Sequence, residues 1–287
     1  MSVFQTPQPI GANVEIQMGS VHLIASDRED TTVVVNPTDP SKELDVEAAR
    51  KTEVELTAGR RLIVVAPHPR GVVGAVLGRY GSVDVTIELP EGSAVEVSTG
   101  FGDIRVDGRV AETQLKTGAG EIQADASTKA DLASGFGNLS LGSASGEVRM
   151  TSTGDIRVGR IEGSAAIKNS NGKTWIDEVG GHLRVKSANG DITIGLARSS
   201  VVAKTANGRI ELGEVEGGSV SLQTAAGGIH VGVGDGTAAW VDAKTKFGRV
   251  HNTLQPTDRP ETPDRSVEIS AWTGFGDITV HRAVGRN

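Results

Sequence analysis

The chain of 287 residues contains 38 glycines, 9 aromatic residues (5 Phe, 3 Trp and 1 Tyr) and no cysteine. Without cysteine it has no disulfide framework, no thiolate zinc site and no cysteine nucleophile. Because 36 acidic residues outnumber 29 basic ones, for a net charge of −7, the composition argues against a nucleic-acid partner. No apolar run is long enough to span a membrane and the N-terminus shows no signal-peptide pattern, so we expect a cytoplasmic protein.

Residues 1–90 are rich in predicted strands but irregular. Alternating runs such as Val83-Asp84-Val85-Thr86-Ile87 indicate strands with one buried face. A glycine-rich loop near 67–79 interrupts these runs. Its apolar side chains are Val72, Val73, Val76 and Leu77. We interpret residues 1–90 as irregular N-terminal coils, and we expect residues 1–18 to cap one end, because an uncovered sheet edge invites pairing with other chains.

Residues 91–287 repeat a unit of about eighteen residues that begins with glycine. The pattern is Gly-x-Ile-x-Val, as in Gly102-Asp103-Ile104-Arg105-Val106, and the other copies repeat it or a variant of it. The starting glycines are Gly102, Gly120, Gly137, Gly154, Gly172, Gly190, Gly208, Gly227, Gly248 and Gly276. The last interval, of 28 residues, contains a polar insertion at 256–263. Such a period is typical of a repeat fold, and we expect the repeats to continue the first ninety residues as one domain.

Apolar and polar side chains alternate within each unit. The second and fourth positions after the glycine are mostly apolar and the third is mostly polar, which predicts strands with one face turned inward. A parallel β-solenoid with one coil per unit explains why these positions match from unit to unit, because stacked coils place like residues above like residues. The predicted fold is therefore all-β, a single-chain solenoid with coils of about 18 residues. A stacked β-meander or a β-roll is the alternative, but no helical pattern is available to cover the apolar face of a meander.

The position before each glycine indicates how the turns are built. It holds Asn171, Asn189 and Asn207, which precede Gly172, Gly190 and Gly208. Asparagine tolerates tight turns, and three of them in adjacent coils would form a ladder of amide hydrogen bonds. Toward both ends of the repeats this position holds phenylalanine, which we expect to close the core. These residues are Phe101, Phe136, Phe247 and Phe275.

Two N-terminal segments resemble a known family. The opening Phe4-x-Thr6-Pro7-x-Pro9-Ile10 and the later Ala25-Ser26-Asp27-Arg28 are similar to actinobacterial members of the putative-adhesin β-strand-repeat family, also called the Toastrack domain. The repeated Gly-Asp-Ile-x-Val strings agree with this resemblance, which covers essentially the whole chain. It implies a single-chain β-solenoid, an adhesin-like role and a link to envelope-stress systems of the phage-shock type. It implies no catalytic or ligand-binding residues.

The outward positions offer few groups for chemistry. Asp155 and Asp191 follow their glycines, where stacked carboxylates would suit a cation, but we favour the interpretation that each caps its own turn. His230 and His251 occupy the same position in successive units and would be neighbours if no shift in stacking intervenes, which supplies at most half of a zinc site. The sequence therefore predicts no catalytic residue, no metal site and no cofactor.

Trp175 is expected to face outward beside Arg157. A guanidinium stacked on an exposed indole stabilises a sheet face by about 0.5–1 kcal/mol, and the same pair is typical of the energetic centre of a protein interface. Two interpretations therefore remain, a structural contact and a partner contact.

A non-enzymatic binding or scaffold module is the function that the sequence favours. Its partner would be another protein, which would meet a solenoid face or the loop near 67–79. A carbohydrate-active or carbohydrate-binding groove is the first alternative. Peripheral contact of the 70–79 loop with a membrane surface, through its apolar side chains and flanking arginines, is the second.

Overall fold

The computed structural model describes residues 1–67, 81–254 and 265–283. In these ranges the chain is nearly all β, with 25 strands and one nine-residue helix, and no helix there is long and apolar enough to cross a membrane. The apolar loop residues Val72, Val73, Val76 and Leu77 and the insertion 256–263 lie outside the described residues. Two compact units make up the chain, which we call unit 1 (residues 1–141) and unit 2 (residues 142–287).

Unit 1 contains one helix and ten of the strands in the described part of the chain. They are β1 (Ser2–Gln5), β2 (Gly11–Met18), β3 (Val21–Ser26), β4 (Asp30–Pro37), α1 (Glu43–Lys51), β5 (Glu53–Leu56), β6 (Arg61–Val65), β7 (Val83–Pro90), β8 (Ala94–Phe101), β9 (Ile104–Ala119) and β10 (Ile122–Phe136). The next strand, β11 (Leu139–Ala144), spans the division between the units.

Parallel pairing dominates unit 1. β2 lies between β6 and β8, and β3 lies between β7 and β9. The registers place like residues side by side, so that Val14 neighbours both Val64 and Val97. Antiparallel strands lie outside this stack, because β4 pairs with β7 and β1 while β5 pairs with β6. The strand β2, part of the segment expected to act as a cap, therefore lies inside the stack.

The helix α1 has no counterpart among the elements that the sequence predicts. Only Asp45 and Ala48 are buried in it, so it has no apolar stripe of helical period. It packs beside β4 and β7. The Asp45 carboxylate accepts hydrogen bonds from the backbone N–H of Ser82, at 2.9 Å, and of Asp39, at 3.2 Å. Polar contacts thus hold the helix in place.

Unit 2 contains the remaining strands of the described residues. They are β12 (Val148–Ser152), β13 (Ile156–Ile161), β14 (Ala165–Asn169), β15 (Thr174–Val179), β16 (Leu183–Ser187), β17 (Ile192–Ala197), β18 (Val201–Asn207), β19 (Ile210–Val215), β20 (Gly218–Ala226), β21 (Ile229–Val233), β22 (Thr237–Phe247), β23 (Val250–Asn252), β24 (Arg265–Phe275) and β25 (Ile278–Arg282).

Each coil of unit 2 adds one strand to each of two parallel rows. Row A begins with β12, β14, β16, β18 and β20, and row B with β13, β15, β17, β19 and β21. In row B, Thr174 pairs with Ile192 and Ile192 with Ile210, a shift of 18 residues at each step. The inward side chains of Ile192, Ile194 and Ile210 are fully buried. These registers confirm the predicted β-solenoid.

The last coils of unit 2 do not stack in chain order. β24 lies between β20 and β22, and β25 lies between β21 and β23. The coil built from β22 and β23 is therefore the outermost, although the chain forms it before β24 and β25. Val250 is 42% exposed in this coil, whereas Ile278 at the same position of the neighbouring coil is fully buried. The expected inward positions are thus left open at the outermost coil.

The turn glycines allow the coils to approach each other. A Cβ atom on Gly208, whose φ is +144°, would lie 2.2 Å from the carbonyl oxygen of Gly190 in the coil below. One coil further on, a Cβ atom on Gly227 would likewise lie 2.1 Å from the carbonyl oxygen of Gly208. Thr224 fixes the contact from inside the coil, because its hydroxyl donates to the Gly208 oxygen at 3.0 Å. The backbones of these turns therefore stack directly on one another, at a distance that leaves no room for the Cβ atom of any other residue type.

The expectation that phenylalanine closes the core is wrong. The side chains of Phe101, Phe136, Phe247 and Phe275 are between 55% and 74% exposed. They occupy the turn position that Asn171 and Asn207 occupy in other coils, and these asparagines are exposed as well. The position points outward whatever its residue type, so an apolar side chain there remains on the surface.

Candidate binding face

Three lysines lie side by side on row A of unit 2. Lys168 pairs with Lys186 across β14 and β16, and Lys186 pairs with Lys204 across β16 and β18. All three are exposed, and none forms an ion pair within the described residues. Neighbouring strands are about 4.8 Å apart, and like charges directly opposite each other destabilise a sheet. We call these residues the lysine column, and their unneutralised charge is available to a partner.

A shallow groove of about 390 Å³ adjoins the lysine column. Ala166 and Val202 form its apolar floor, and Arg184 stands between them on β16. His182 and Glu147 line the groove as well. Apolar contact area and positive charge therefore lie next to each other, a combination found at protein interfaces.

Hydrogen bonds within the protein occupy several polar groups of the groove. Ser164 Oγ accepts from the backbone N–H of His182 at 3.2 Å. Ser200 Oγ accepts from the backbone N–H of Ser219 at 3.0 Å. Glu147 accepts a hydrogen bond of 2.6 Å from Arg149. These serines support the turns between coils, and neither forms a hydrogen bond with His182 Nδ1 or Nε2 that would make it a nucleophile–base pair.

Trp175 lies on row B, where the sequence places it. The Arg157 guanidinium carbon is 5.0 Å from the centre of the indole ring, and Lys173 Nζ is 5.6 Å from it. Arg157 also approaches Asp155, at 3.8 Å. Two cations therefore flank one half-buried indole. Because Trp175 and the lysine column belong to different rows, they form two separate surface features.

The turn residues form ladders that run from coil to coil. Asn189 Nδ2 donates to Asn171 Oδ1 at 3.0 Å, and Asn207 Nδ2 donates to Asn189 Oδ1 at 2.8 Å. Asp191 Oδ1 accepts from the backbone N–H of Arg209 at 2.8 Å, and Asp155 Oδ1 accepts likewise from Lys173 at 2.9 Å. The aspartates thus cap the turn of the next coil rather than their own. These ladders hold the coils together and do not converge on a ligand.

The prediction that His230 and His251 lie next to each other is wrong. His230 pairs with Glu211 on one side and with Thr279 on the other, and His251 pairs with Thr279. The insertion of β25 between β21 and β23 separates the two histidines by one coil. Among the described residues no group of three or more His, Asp or Glu side chains is arranged to hold a metal ion.

A chain of ion pairs links five coils of unit 2. Glu178 binds Arg160 at 3.0 Å and Arg198 at 2.8 Å. Arg198 continues to Glu216 at 3.5 Å, and Glu216 binds Arg265 at 2.8 Å. The hydrogen bonds from Arg198 lower the pKa of Glu178 below its ordinary value. Opposite charges thus alternate from coil to coil, which suits a structural role.

We expect Glu178→Gln to destabilise the protein at neutral pH. Because the pKa of Glu178 is lower in the folded than in the unfolded chain, its carboxylate stabilises the fold above the unfolded pKa. This contribution is lost as the pH falls through the folded pKa, so the stability difference between the two proteins should disappear in acid. Urea unfolding as a function of pH measures it. Glu211→Gln serves as the control, because Glu211 forms no ion pair within the described residues, and an equal effect of both variants would contradict the assignment.

The lysine column and the ion-pair chain are absent from the sequence-based predictions. The lysine column follows the repeat, since Lys168, Lys186 and Lys204 are 18 residues apart. The ion-pair chain follows it less regularly, since Arg198 comes 20 residues after Glu178. The lysines lie in the strand before each turn, and the ion-pair residues lie at or next to the ends of strands. Both sets lie outside the Gly-x-Ile-x-Val positions from which the period is recognised. The groove gives no such signal, because it depends on small side chains standing between large ones in neighbouring strands.

Three solved structures match the chain over nearly its full length at low identity. One, from Clostridium sporogenes ATCC 15579, is described as a "putative cell adhesion protein"; it is 12% identical, covers 98% of each chain and has a TM-score of 0.22. Two come from Parabacteroides distasonis ATCC 8503. The "putative lipid binding protein" is 11% identical over 99% of this chain and 96% of that chain, with a TM-score of 0.37. The "putative adhesin" is 12% identical over 97% and 95%, with a TM-score of 0.33.

At these identities and TM-scores the three structures carry no argument about what the present chain binds. No curated protein matches the chain. The model of the family described as Toastrack DUF4097 matches residues 13–285, which include most of both units and every glycine-initiated repeat. Of the features that suggested this family, the segment 25–28 and the glycine-initiated repeats lie within the matched region, whereas the segment 4–10 precedes it. The chain belongs to the Toastrack DUF4097 family.

Proposed function

We propose that the chain is a non-enzymatic, adhesin-like binding module whose partner is another protein with an acidic surface. The lysine column is the observation that carries the proposal. Three stacked cations weaken the sheet that bears them, and a structural role would call for the alternating charges seen between Glu178 and Arg198. An acidic partner would supply the missing negative charge.

The groove favours a protein over a simple polyanion. A polyanion requires positive charge alone, whereas Ala166 and Val202 provide an apolar floor beside Arg184 and the lysines. A protein partner presents both acidic side chains at the rim and an apolar side chain for the floor. The rigid coils hold these groups in fixed positions before binding, which lowers the conformational entropy lost on association.

Trp175 with Arg157 is a second partner contact in this proposal. Tryptophan and arginine are over-represented among the interface residues that dominate binding energy. The loop near 67–79, with Val72, Val73, Val76 and Leu77, remains a further candidate contact from the sequence. By resemblance to its family, we place the partner in an envelope-stress system of the phage-shock type, and we retain a cytoplasmic location.

Carbohydrate hydrolysis has less support. Glycosidases use two carboxyl groups on opposite sides of the scissile bond. Among the described residues that line the groove, Glu147 is the one carboxylate, and it is paired with Arg149. No aromatic side chain lines the described groove as a platform for a sugar ring.

The proposal is tested by comparing two charge reversals. The wild-type chain captures partners from its own cell, and mass spectrometry identifies them. Binding of each purified partner is then measured for Lys186→Glu and for Lys116→Glu, which makes the same charge change at an exposed position of unit 1. We expect Lys186→Glu to weaken binding by about tenfold or more, because it places like charge against an acidic surface, and we expect added salt to weaken wild-type binding. The control should bind normally.

Three outcomes would contradict the proposal. In the first, both variants bind every captured protein as well as the wild type does. In the second, both lose binding equally, which would indicate an effect of net charge alone. In the third, the wild type captures no protein but binds phosphatidylglycerol vesicles or a sulfated polysaccharide, and Lys186→Glu abolishes that binding.

A further inference from the structure

The outermost coil of unit 2 leaves one long strand edge free. β22 pairs with β24 on one side, and no strand of the described residues pairs with its other side. β22 has eleven residues, twice the length of most strands in the unit. A long exposed edge is a template for pairing with another strand.

The backbone groups that face this free edge follow from one hydrogen bond. The carbonyl oxygen of Phe247 accepts from the N–H of Gly276 in the neighbouring coil, at 2.9 Å. Backbone groups alternate sides along a strand, so the N–H and C=O groups of Asp242 and Lys244 point the other way, toward the free edge. The edge is therefore polar, regular and ready to accept a partner strand.

The core is open at this coil. In the next coil inward, Ile269 is fully buried and Ala271 is 2% exposed. Their partners Val241 and Ala243 on β22 are only partly buried. An additional strand along β22 would cover these inward side chains as β24 is covered by its neighbours.

Exposed aromatic residues are concentrated on the same two coils. Trp240 is 78% exposed, Trp272 41%, Phe247 55% and Phe275 59%, which together are four of the nine aromatic residues in the chain. Phe247 and Phe275 stack with their ring centres 4.9 Å apart. Tryptophan and phenylalanine are enriched at interfaces, so these exposed side chains favour a contact at this end of unit 2.

The charges on β22 fit a second copy of the same strand. If two copies run antiparallel about a twofold axis at Ala243, Asp242 of each copy lies opposite Lys244 of the other. The same register places Trp240 opposite Lys246, a cation–π pair, and Ala243 opposite itself. A parallel pairing in register would instead oppose Asp242 to Asp242 and Lys244 to Lys244, which is unfavourable. Within one copy Lys244 Nζ is already 2.9 Å from Asp242, so pairing exchanges contacts within a strand for contacts between strands.

We propose that two copies of this chain form a symmetric dimer through antiparallel pairing of β22. The dimer covers the open inward side chains of β22, pairs its free backbone edge and brings the exposed Trp240 to the interface. Such a twofold contact uses the same surface on both copies and ends there, so it produces dimers rather than fibres. It leaves the lysine column on row A free and is independent of the proposed protein partner.

A charge-swap series measured by sedimentation equilibrium tests the dimer. The full-length wild type should dimerise with increasing concentration. Asp242→Lys and Lys244→Asp should each weaken the dimer by at least about tenfold, because each opposes two pairs of like charges. The double variant should restore dimerisation, since it exchanges the charges within the same register. Gln123→Lys, which adds a positive charge at an exposed position of unit 1, is the control and should dimerise as the wild type does.

Circular dichroism and thermal unfolding of each variant separate loss of pairing from loss of folding. A wild type that stays monomeric at every concentration overturns the proposal. A dimer that the single variants leave intact overturns it as well. Failure of the folded double variant to dimerise, when the single variants have lost the dimer, would overturn the antiparallel register.

Discussion

Gly208→Ala should destabilise the protein by about 3 kcal/mol or more. The glycine adopts a φ of +144°, which an L side chain rarely adopts, and such a conformation costs about 1–3 kcal/mol for other residues. In addition, the new Cβ would lie 2.2 Å from the carbonyl oxygen of Gly190, a contact that requires the backbone of one coil to move. Forcing an atom into a packed site costs about 1–3 kcal/mol more.

Gly11→Ala is the matched control for this prediction. Gly11 has no positive φ, and a Cβ built on it meets no atom within 4 Å. We expect its free energy of unfolding to change by no more than about 0.5 kcal/mol. Urea unfolding monitored by circular dichroism measures both variants. If Gly208→Ala were as stable as the control, the turns could not stack through their glycine backbones as described.

The solenoid could be predicted because the sequence repeats with a period of about 18 residues. Inward positions such as Ile192 and Ile210 recur at the repeat distance, and the structure buries both completely. Outward positions such as Trp175 follow from the same alternation. The period of a repeat thus predicts the fold class and the orientation of most side chains, since each coil buries its apolar face against a neighbour of the same pattern.

The order of the last coils could not be predicted from the same period. Because all coils share one pattern, Ile278 is as well suited to pair with Ile229 as with Val250, and the structure shows that it pairs with both. The insertion 256–263 leaves enough chain between the two coils for this exchange. For the same reason the sequence does not reveal that His230 and His251 are apart.

Other differences have local causes. The helix α1 buries only Asp45 and Ala48, so it lacks the apolar period by which a surface helix is recognised. Phe247 and Phe275 have side chains that usually belong to a core, but their turn position directs them outward. The lysine column obeys the repeat and is readable from the sequence once the strand before the turn is aligned as well. The groove depends on small side chains in neighbouring strands, so it could be recognised only from the structure.

Deletion of residues 172–207 should leave a folded protein. Unit 2 is a stack of similar coils of about 18 residues, and this segment of 36 residues is two of them. Its removal joins Asn171 to Gly208, which keeps the Asn-Gly turn. It also brings Arg160 to the coil of Glu216, so that opposite charges still alternate along the ion-pair chain. Stability in a stack is approximately a sum over coils and their contacts, and the shortened protein should therefore melt earlier but cooperatively.

Deletion of residues 172–198 is the contrasting variant. It removes one and a half repeats, so β14 of row A would be followed directly by β18, another strand of row A, at the place of a row B strand. The buried apolar positions would then no longer lie above one another. This shorter deletion should prevent unit 2 from folding, although it removes fewer residues. Circular dichroism with thermal unfolding of the two deletions tests the central claim most directly. We expect a cooperative β-sheet transition of unit 2 for the deletion of 172–207 and the loss of this transition for the deletion of 172–198. Equal behaviour of the two variants would contradict a stack of 18-residue coils.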